Sequence, residues 1–209
     1  MAETTHVTTT EIRGLRRSPA SHLAEEFARG TVTGSRGVEL TEIPFLTMVG
    51  VRVDPGSAAG ERIAAITGGL PAACGGVTSG SGGVQAIWVG PREFLVVAPD
   101  DANDVVPPAL LDALGEDPGQ VVDLSSNRTT FSLAGPSARE VLEKSCALDL
   151  HPRTFRTGTA LSTEVGGIPV VLHKTGVRSY RIMPRASFAD FLGRWLLDGM
   201  REFASPGAP

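Results

Sequence analysis

A chain of 209 residues is long enough for one good hydrophobic core or two small ones. Hydrophobic residues make up 41% and charged residues 20%, and a formal net charge of −4 speaks against a general nucleic-acid binder, which needs a basic surface to displace counterions. No apolar run approaches the roughly 20 residues that span a bilayer, and the opening MAETTHVTTTEIRG has no apolar stretch of the kind a secretory signal carries, so a cytoplasmic protein without a membrane partner is expected.

Residues 1–36 are rich in Thr, Arg, Ser and Gly, with one short helical hint at 21–28. Leu23 and Phe27 would share a face there, and Ser21 is placed to cap it. This N-terminal arm reads either as a partly disordered terminus or as a strap on a partner chain, anchored by Leu15, Leu23 and Phe27. From 38 to 43 the chain alternates as an edge strand does and stops at Pro44. The almost wholly apolar run 45–53 predicts a central strand. Asp54-Pro55-Gly56-Ser57 is a turn whose last residues can open a helix carrying Ala58, Ile63, Ala64 and Ile66, and Gly68-Gly69 ends it. The glycine-loaded stretch 70–83 reads as a loop. Strands 84–89 and 94–98 make the clearest hairpin, with Gly90-Pro91-Arg92-Glu93 at its tip. A polar turn at 100–104 leads to a short helix with Val105, Leu110, Leu111 and Leu114, its Pro107 and Pro108 confined to the first turn.

The densest signals run from 121 to 155. Val121, Val122 and Leu124 read as a buried strand, and Ser125-Ser126-Asn127-Arg128 as a polar turn. Thr130 and Ser132 then alternate with Thr129, Phe131 and Leu133, the pattern of a half-buried strand. Gly135-Pro136 stops that strand and starts a helix over 136–145 with Ala138, Val141 and Leu142 inward. Strands follow at 158–163, 168–173 and 177–183, joined by Gly166-Gly167 and Lys174-Thr175-Gly176. The last helix is expected to start at a Ser187 cap with Asp190 three residues on, and to bury Phe188, Phe191, Leu192, Trp195, Leu196 and Phe203 on one face. The tail 204–209 is expected to be disordered.

The two strand–turn–helix segments, VGVRVDPGSAAGERIAAI and TTFSLAGPSAREVL, share one grammar. They predict an α+β protein of duplicated ferredoxin-like (split βαβ) units, antiparallel sheets with packed helices. The expectation is a single domain over 37–203, made of pseudo-repeats 37–124 and 125–203.

Reagents are scarce. Cys74 and Cys146 lack framework spacing and read as free thiols, and His6, His22, His151 and His173 stand far apart. The glycines of GGVTSGSGG (75–83) do not make a phosphate turn. Asp123 either orients an amine or a pterin ring, or caps the Ser-Ser-Asn turn and pairs with Arg128. His151 is an interface or active-site histidine, or a structural one; His173 ends a strand beside Lys174. No catalytic, cofactor-binding or metal residue is assigned. Arg128, Arg153, Arg156, Arg178 and Arg181 suit bidentate contact with carboxylates across an interface, or simply a solvated face. The subunit-interface candidates are Asn127, Arg128, His151, Arg153 and Arg178.

The segment DLSSNRTTFSLAGPSAREVLEKSCALDLHPRTF (123–155) resembles the gamma subunit of heterotetrameric sarcosine oxidase, as do residues 45–50, 88–98, Tyr180-Arg181 and 187–197. More distantly, the strand–Gly-Pro–helix unit is similar to folate-dependent aminomethyltransferases, the T-protein of glycine cleavage. The resemblance implies the folate-binding-domain fold of those transferases. It further implies a non-catalytic gamma chain bracing the large subunit of a complex with alpha, beta and delta subunits. In the family that complex oxidatively demethylates sarcosine to glycine, forms hydrogen peroxide and passes the one-carbon unit to tetrahydrofolate. The resemblance also implies that FAD, FMN, NAD, zinc and tetrahydrofolate are held by the other subunits and none by this chain. The alternative is a stand-alone folate-binding aminomethyltransferase-like enzyme, but 44–50 carries no matching acidic motif.

Overall fold

A computed structural model describes residues 14–204 of the chain. After a 3-10 turn at Ser21–Leu23, helix α1 (Ala24–Gly30) leads into β1 (Glu39–Ile43), β2 (Thr47–Val53), α2 (Ala58–Thr67) and β3 (Val77–Ser79). The hairpin β4 (Gln85–Gly90) and β5 (Glu93–Ala98), helix α3 (Val106–Leu114), and β6 (Gly119–Asp123) follow. The second half runs β7 (Thr130–Ala134), α4 (Ala138–Glu143), β8 (Ala160–Val165), β9 (Ile168–Gly176), β10 (Ser179–Pro184) and α5 (Ala189–Ala204).

The strands form two five-stranded antiparallel sheets, in the orders β1-β7-β10-β9-β8 and β3-β4-β5-β2-β6. In the first, Phe131, Leu133, Leu172 and Ile182 face α1, α4 and α5. In the second, Val49, Val51, Val53 and Phe94 face α2 and α3. The opposite faces meet through Met48, Ile87, Leu95 and Val97 against Ala160, Val171 and Met183. The layers are therefore helix, sheet, sheet, helix, as period-2 alternation with both faces covered requires.

The internal duplication is visible in the strand order. Reading β2-α2-β3-β4-β5-α3-β6 against β7-α4-β8-β9-β10-α5, every element finds its counterpart except β6. Its place in the first sheet, beside β7, is taken by β1. The second unit thus completes its sheet with a strand from the start of the chain. A boundary at 124–125 leaves β1 in the first repeat by sequence, although it lies in the second by pairing.

Local signals held where they were chemically specific. Ser57 caps α2, its Oγ accepting from the Gly60 N–H at 3.1 Å, and Gly68 ends it in the left-handed region at φ 72°. Ser57→Ala should lower stability by about 1 kcal/mol, read as a shift in the denaturant midpoint with unchanged slope. Pro107 and Pro108 sit in the first turns of α3, and Arg92 takes φ 63° in the β4–β5 turn.

Five expectations need correction. The loop 70–83 contains β3, which pairs with β4 through Val77 and Ile87. The strand at 121–124 is not buried: among the described strands β6 pairs only with β2, at the sheet edge, and Val122 is 39% exposed. Ser187 lies inside a 3-10 turn (Ala186–Phe188) without a side-chain cap, while Asp190 accepts from His22 and Arg194. Helix α5 buries Ala189, Leu192, Leu196, Met200 and Phe203, leaving Phe188, Phe191 and Trp195 exposed at 38%, 48% and 45%. Two apolar stripes run along this helix, and the sheet accepts only one.

The arm supplies the fifth. Leu23 and Phe27 are buried in this chain's own core, Phe27 meeting Phe131 edge to face at 5.8 Å, and Gly193 of α5 leaves room for both. Glu42 of β1 holds the segment through Ser18 Oγ (2.5 Å) and the Ala20 N–H (3.1 Å), and Arg16 forms a two-point ion pair with Asp100 at 2.7 Å. Leu15 remains exposed. The expected disorder at the termini falls, for 1–13 and 205–209, outside the described residues; Ala204 ends α5.

Candidate functional site

Past the contact between the sheets, a cleft of about 350 Å³ opens beside edge strand β6. One wall is the uncovered face of the second sheet: Gly50, Leu95, Val89 and Val122, with Leu124 just beyond β6. The other is formed by Ser162 of β8 and Val171 of β9. At Gly50, which interrupts an apolar strand, an added methyl would come within 2.9 Å of Leu124 Cδ1, the free end of a flexible side chain.

Arg128 lines this cleft. The Leu124–Asn127 turn, closed by the Asn127 N–H to Leu124 O bond at 2.8 Å, delivers it to an isolated bridge with Arg185. Its Nη1 donates to the Met183 carbonyl at 2.9 Å, and among the described residues no carboxylate lies within ion-pair reach. Burial first, and then the like charge of Arg185, lower the guanidinium from its ordinary pKa. In larger grooves elsewhere, Arg92 pairs with Asp54 at 3.0 Å and Arg194 with Glu26 at 2.9 Å. At the mouth of the cleft, Arg52 and Glu93 likewise pair, at 3.4 Å.

The five interface candidates fall into two groups at opposite ends of β10. Asn127 and Arg128 stand at its Pro184 end, where the Ala186 N–H donates to Asn127 O at 2.8 Å. Arg178 stands at the other end, roughly 20 Å away at the rise of a strand. His151 and Arg153 sit in the loop before Phe155, whose ring stacks on Tyr180 and whose carbonyl accepts from Lys174 Nζ at 2.8 Å. His151 is bound into its own turn: its N–H donates to Asp149 Oδ1 at 2.9 Å, and its Nδ1 accepts from the Arg153 N–H at 3.3 Å. Arg153 and Arg178 are exposed.

Asp123 caps its turn, Oδ1 accepting from the Ser125 N–H at 2.8 Å and from Ser125 Oγ at 2.6 Å. The expected Asp123–Arg128 pair does not form, because the turn carries Arg128 across to the first sheet. His173 is buried between the sheets rather than closing a strand end, since β9 continues to Gly176. Both cysteines are free, Cys74 exposed and Cys146 buried. Among the described residues no group of three or more His, Cys, Asp or Glu could hold a metal ion, and no helix is long and apolar enough to cross a membrane. Ser162 and Val171 escaped sequence reading because nothing local marks which strand faces the cleft; the lone glycine at 50 was the available signal.

Residues 49–202 match the sarcosine oxidase, gamma subunit family. The chain is 47% identical over 210 residues to the sarcosine oxidase subunit gamma of Corynebacterium sp. (strain U-96), covering 98% of each. The chain belongs to this family. It also superimposes, with a TM-score of 0.89 and 47% identity, on a chain of the heterotetrameric sarcosine oxidase from Corynebacterium sp. U-96 in complex with pyrrole 2-carboxylate. That match covers 93% of this chain and all of that one. The glycine cleavage system aminomethyltransferase T from Bartonella henselae shares the fold alone, at 15% identity and a TM-score of 0.65 over 88% of this chain and 57% of its own. The expected kinship of folds is therefore present, and the reading as a stand-alone transferase is not favoured.

Proposed function

We propose that this gamma chain is a bracing, non-catalytic member of a heterotetrameric sarcosine oxidase with alpha, beta and delta partners. In that reading the complex is a cytoplasmic oxidoreductase acting on a CH–NH bond with oxygen as acceptor. Sarcosine becomes glycine, hydrogen peroxide forms, and the one-carbon unit leaves on tetrahydrofolate. FAD, FMN, NAD, zinc and the folate belong to the other subunits. The observation carrying the proposal is the match over nearly the full length of both chains to one member of a heterotetrameric sarcosine oxidase. The histidines of the described residues fit it, each having a structural setting: His22 on Asp190, His151 within its turn, His173 between the sheets.

The test is purification of the tagged chain from its own cells, with mass spectrometry of what accompanies it and an absorbance scan. A yellow complex holding three other chains and releasing peroxide from sarcosine is expected. A colourless single chain that binds tetrahydrofolate unaided would overturn the proposal.

A further inference from the structure

We infer that the cleft beneath β6 receives an extended acidic segment of a partner subunit, whose carboxylate is bound by Arg128; the inference rests on the subunit reading above. Three observations converge on it. Arg128 is a half-buried cation beside a second cation, Arg185, and the described residues offer its guanidinium only the Met183 carbonyl. A desolvated arginine fork without a counter-charge is costly, and it matches a carboxylate in two-point geometry.

The walls of the cleft set the second requirement. Leu95, Val122, Leu124 and Val171 are apolar, so the carboxylate arrives on a stem that buries carbon. The third observation is the edge itself. β6 pairs only with β2 among the described strands, so its outer N–H and C=O groups can take up an added strand. Gln120 and Val122 alternate into the cleft, while Val121 packs toward the helices. A segment laid along β6 would place every second side chain on that same face, toward Arg128. This combination favours a protein chain over a small free acid.

The test uses the assembled complex. Arg128→Gln should weaken association of the gamma chain with the remaining subunits by about 30- to 1,000-fold, measured by dilution or salt-induced release. Arg128→Lys keeps the charge but loses the fork, and should weaken it less. A melting curve of each variant chain alone should stay close to that of the native chain. The lysine variant also places an amine in the cleft. Carbodiimide treatment of its complex should join position 128, with loss of water, to an Asp or Glu of a partner chain, located by peptide mass mapping.

If Arg128→Gln assembles within twofold of the native chain, the assignment falls while the subunit reading stands. A cross-link only to this chain's own Glu93, or a small acid released from the native complex on denaturation, overturns the partner as occupant. Failure of the unaltered chain to assemble overturns the subunit reading itself.

Discussion

Gly135→Ala should lower the stability of the chain by about 4 kcal/mol and its melting temperature by roughly 10 °C. Gly135 has φ 125°, a region closed to alanine, and an added methyl would lie 2.5 Å from Gly37 O and 2.9 Å from Val38 Cα. Both obstacles are backbone, so no side chain can swing aside. The position is also where three segments are tied: the Gly135 N–H donates to Arg178 O at 2.9 Å, and the Ser137 N–H to Gly37 O at 3.1 Å. Shifting it would pull β1, β7 and the β9–β10 turn apart together, and with them the sheet that holds Arg128. Gly167→Ala provides the contrast, because φ is 75° there with nothing within 4 Å of the added methyl. That change should cost about 1–2 kcal/mol. Denaturant titration of the two variants checks the pair, and equal midpoints would show that the backbone at 135 relaxes freely.

Stability should also fall by about 3 kcal/mol as pH drops from 6.5 to 4, because of His173. This histidine is 3% exposed, its Nδ1 has no hydrogen-bond partner among the described residues, and its cross-strand neighbours on β8 and β10 are Ala160 and Arg181. Burial, and secondarily the Arg181 charge, push its pKa from 6.5 down to about 4. The unfolded chain takes up a proton near 6.5 and the folded one only near 4, so the loss grows between those values and is complete below them. Above 6.5 the group is neutral in both states and adds no slope. Asp149 and Asp190 have lowered pKa values, through bonds from the His151 backbone and the His22 side chain respectively. Their stabilising contribution is lost only as pH falls below the usual carboxylate range, so the two windows separate. Urea midpoints at pH 7.5, 5.5 and 4.5 measure the effect, and His173→Leu should flatten the upper part of the profile. An unchanged midpoint between 7.5 and 4.5 in the native chain would show that His173 accepts its proton at little cost.

Of the residues lining the candidate site, Arg128 was open to reading, and the arrangement around it was not. Arg128 and Asn127 could be named because polar turns that follow a strand carry recognition residues. Their company could not be anticipated. Arg128 lines a cleft between two sheets together with Ser162 and Val171, whereas Arg178, equally promising by composition, stands at the far end of β10. The exposed Phe188, Phe191 and Trp195 show a related ambiguity: at helical spacing they make a second apolar stripe beside that of Leu192 and Leu196, and the sheet beneath α5 covers only one.

What the amino-acid order determined by itself is the set of features decided within a few residues: the Ser57 cap, the Gly68 stop, the tight β4–β5 turn, the Gly135-Pro136 switch and the alternation that gives Phe131 and Leu133 to the core. Each depends on backbone torsion or on a hydrogen bond between near neighbours, so the local sequence suffices. Tertiary structure alone decided that β1 completes the second unit's sheet, that Leu23 and Phe27 close this chain's own core, and that β6 lies at an open edge with Arg128 beneath it. Those outcomes depend on which distant strand provides a free row of hydrogen-bonding groups and which apolar face is left uncovered. Both are properties of the assembled sheets rather than of any short stretch of chain.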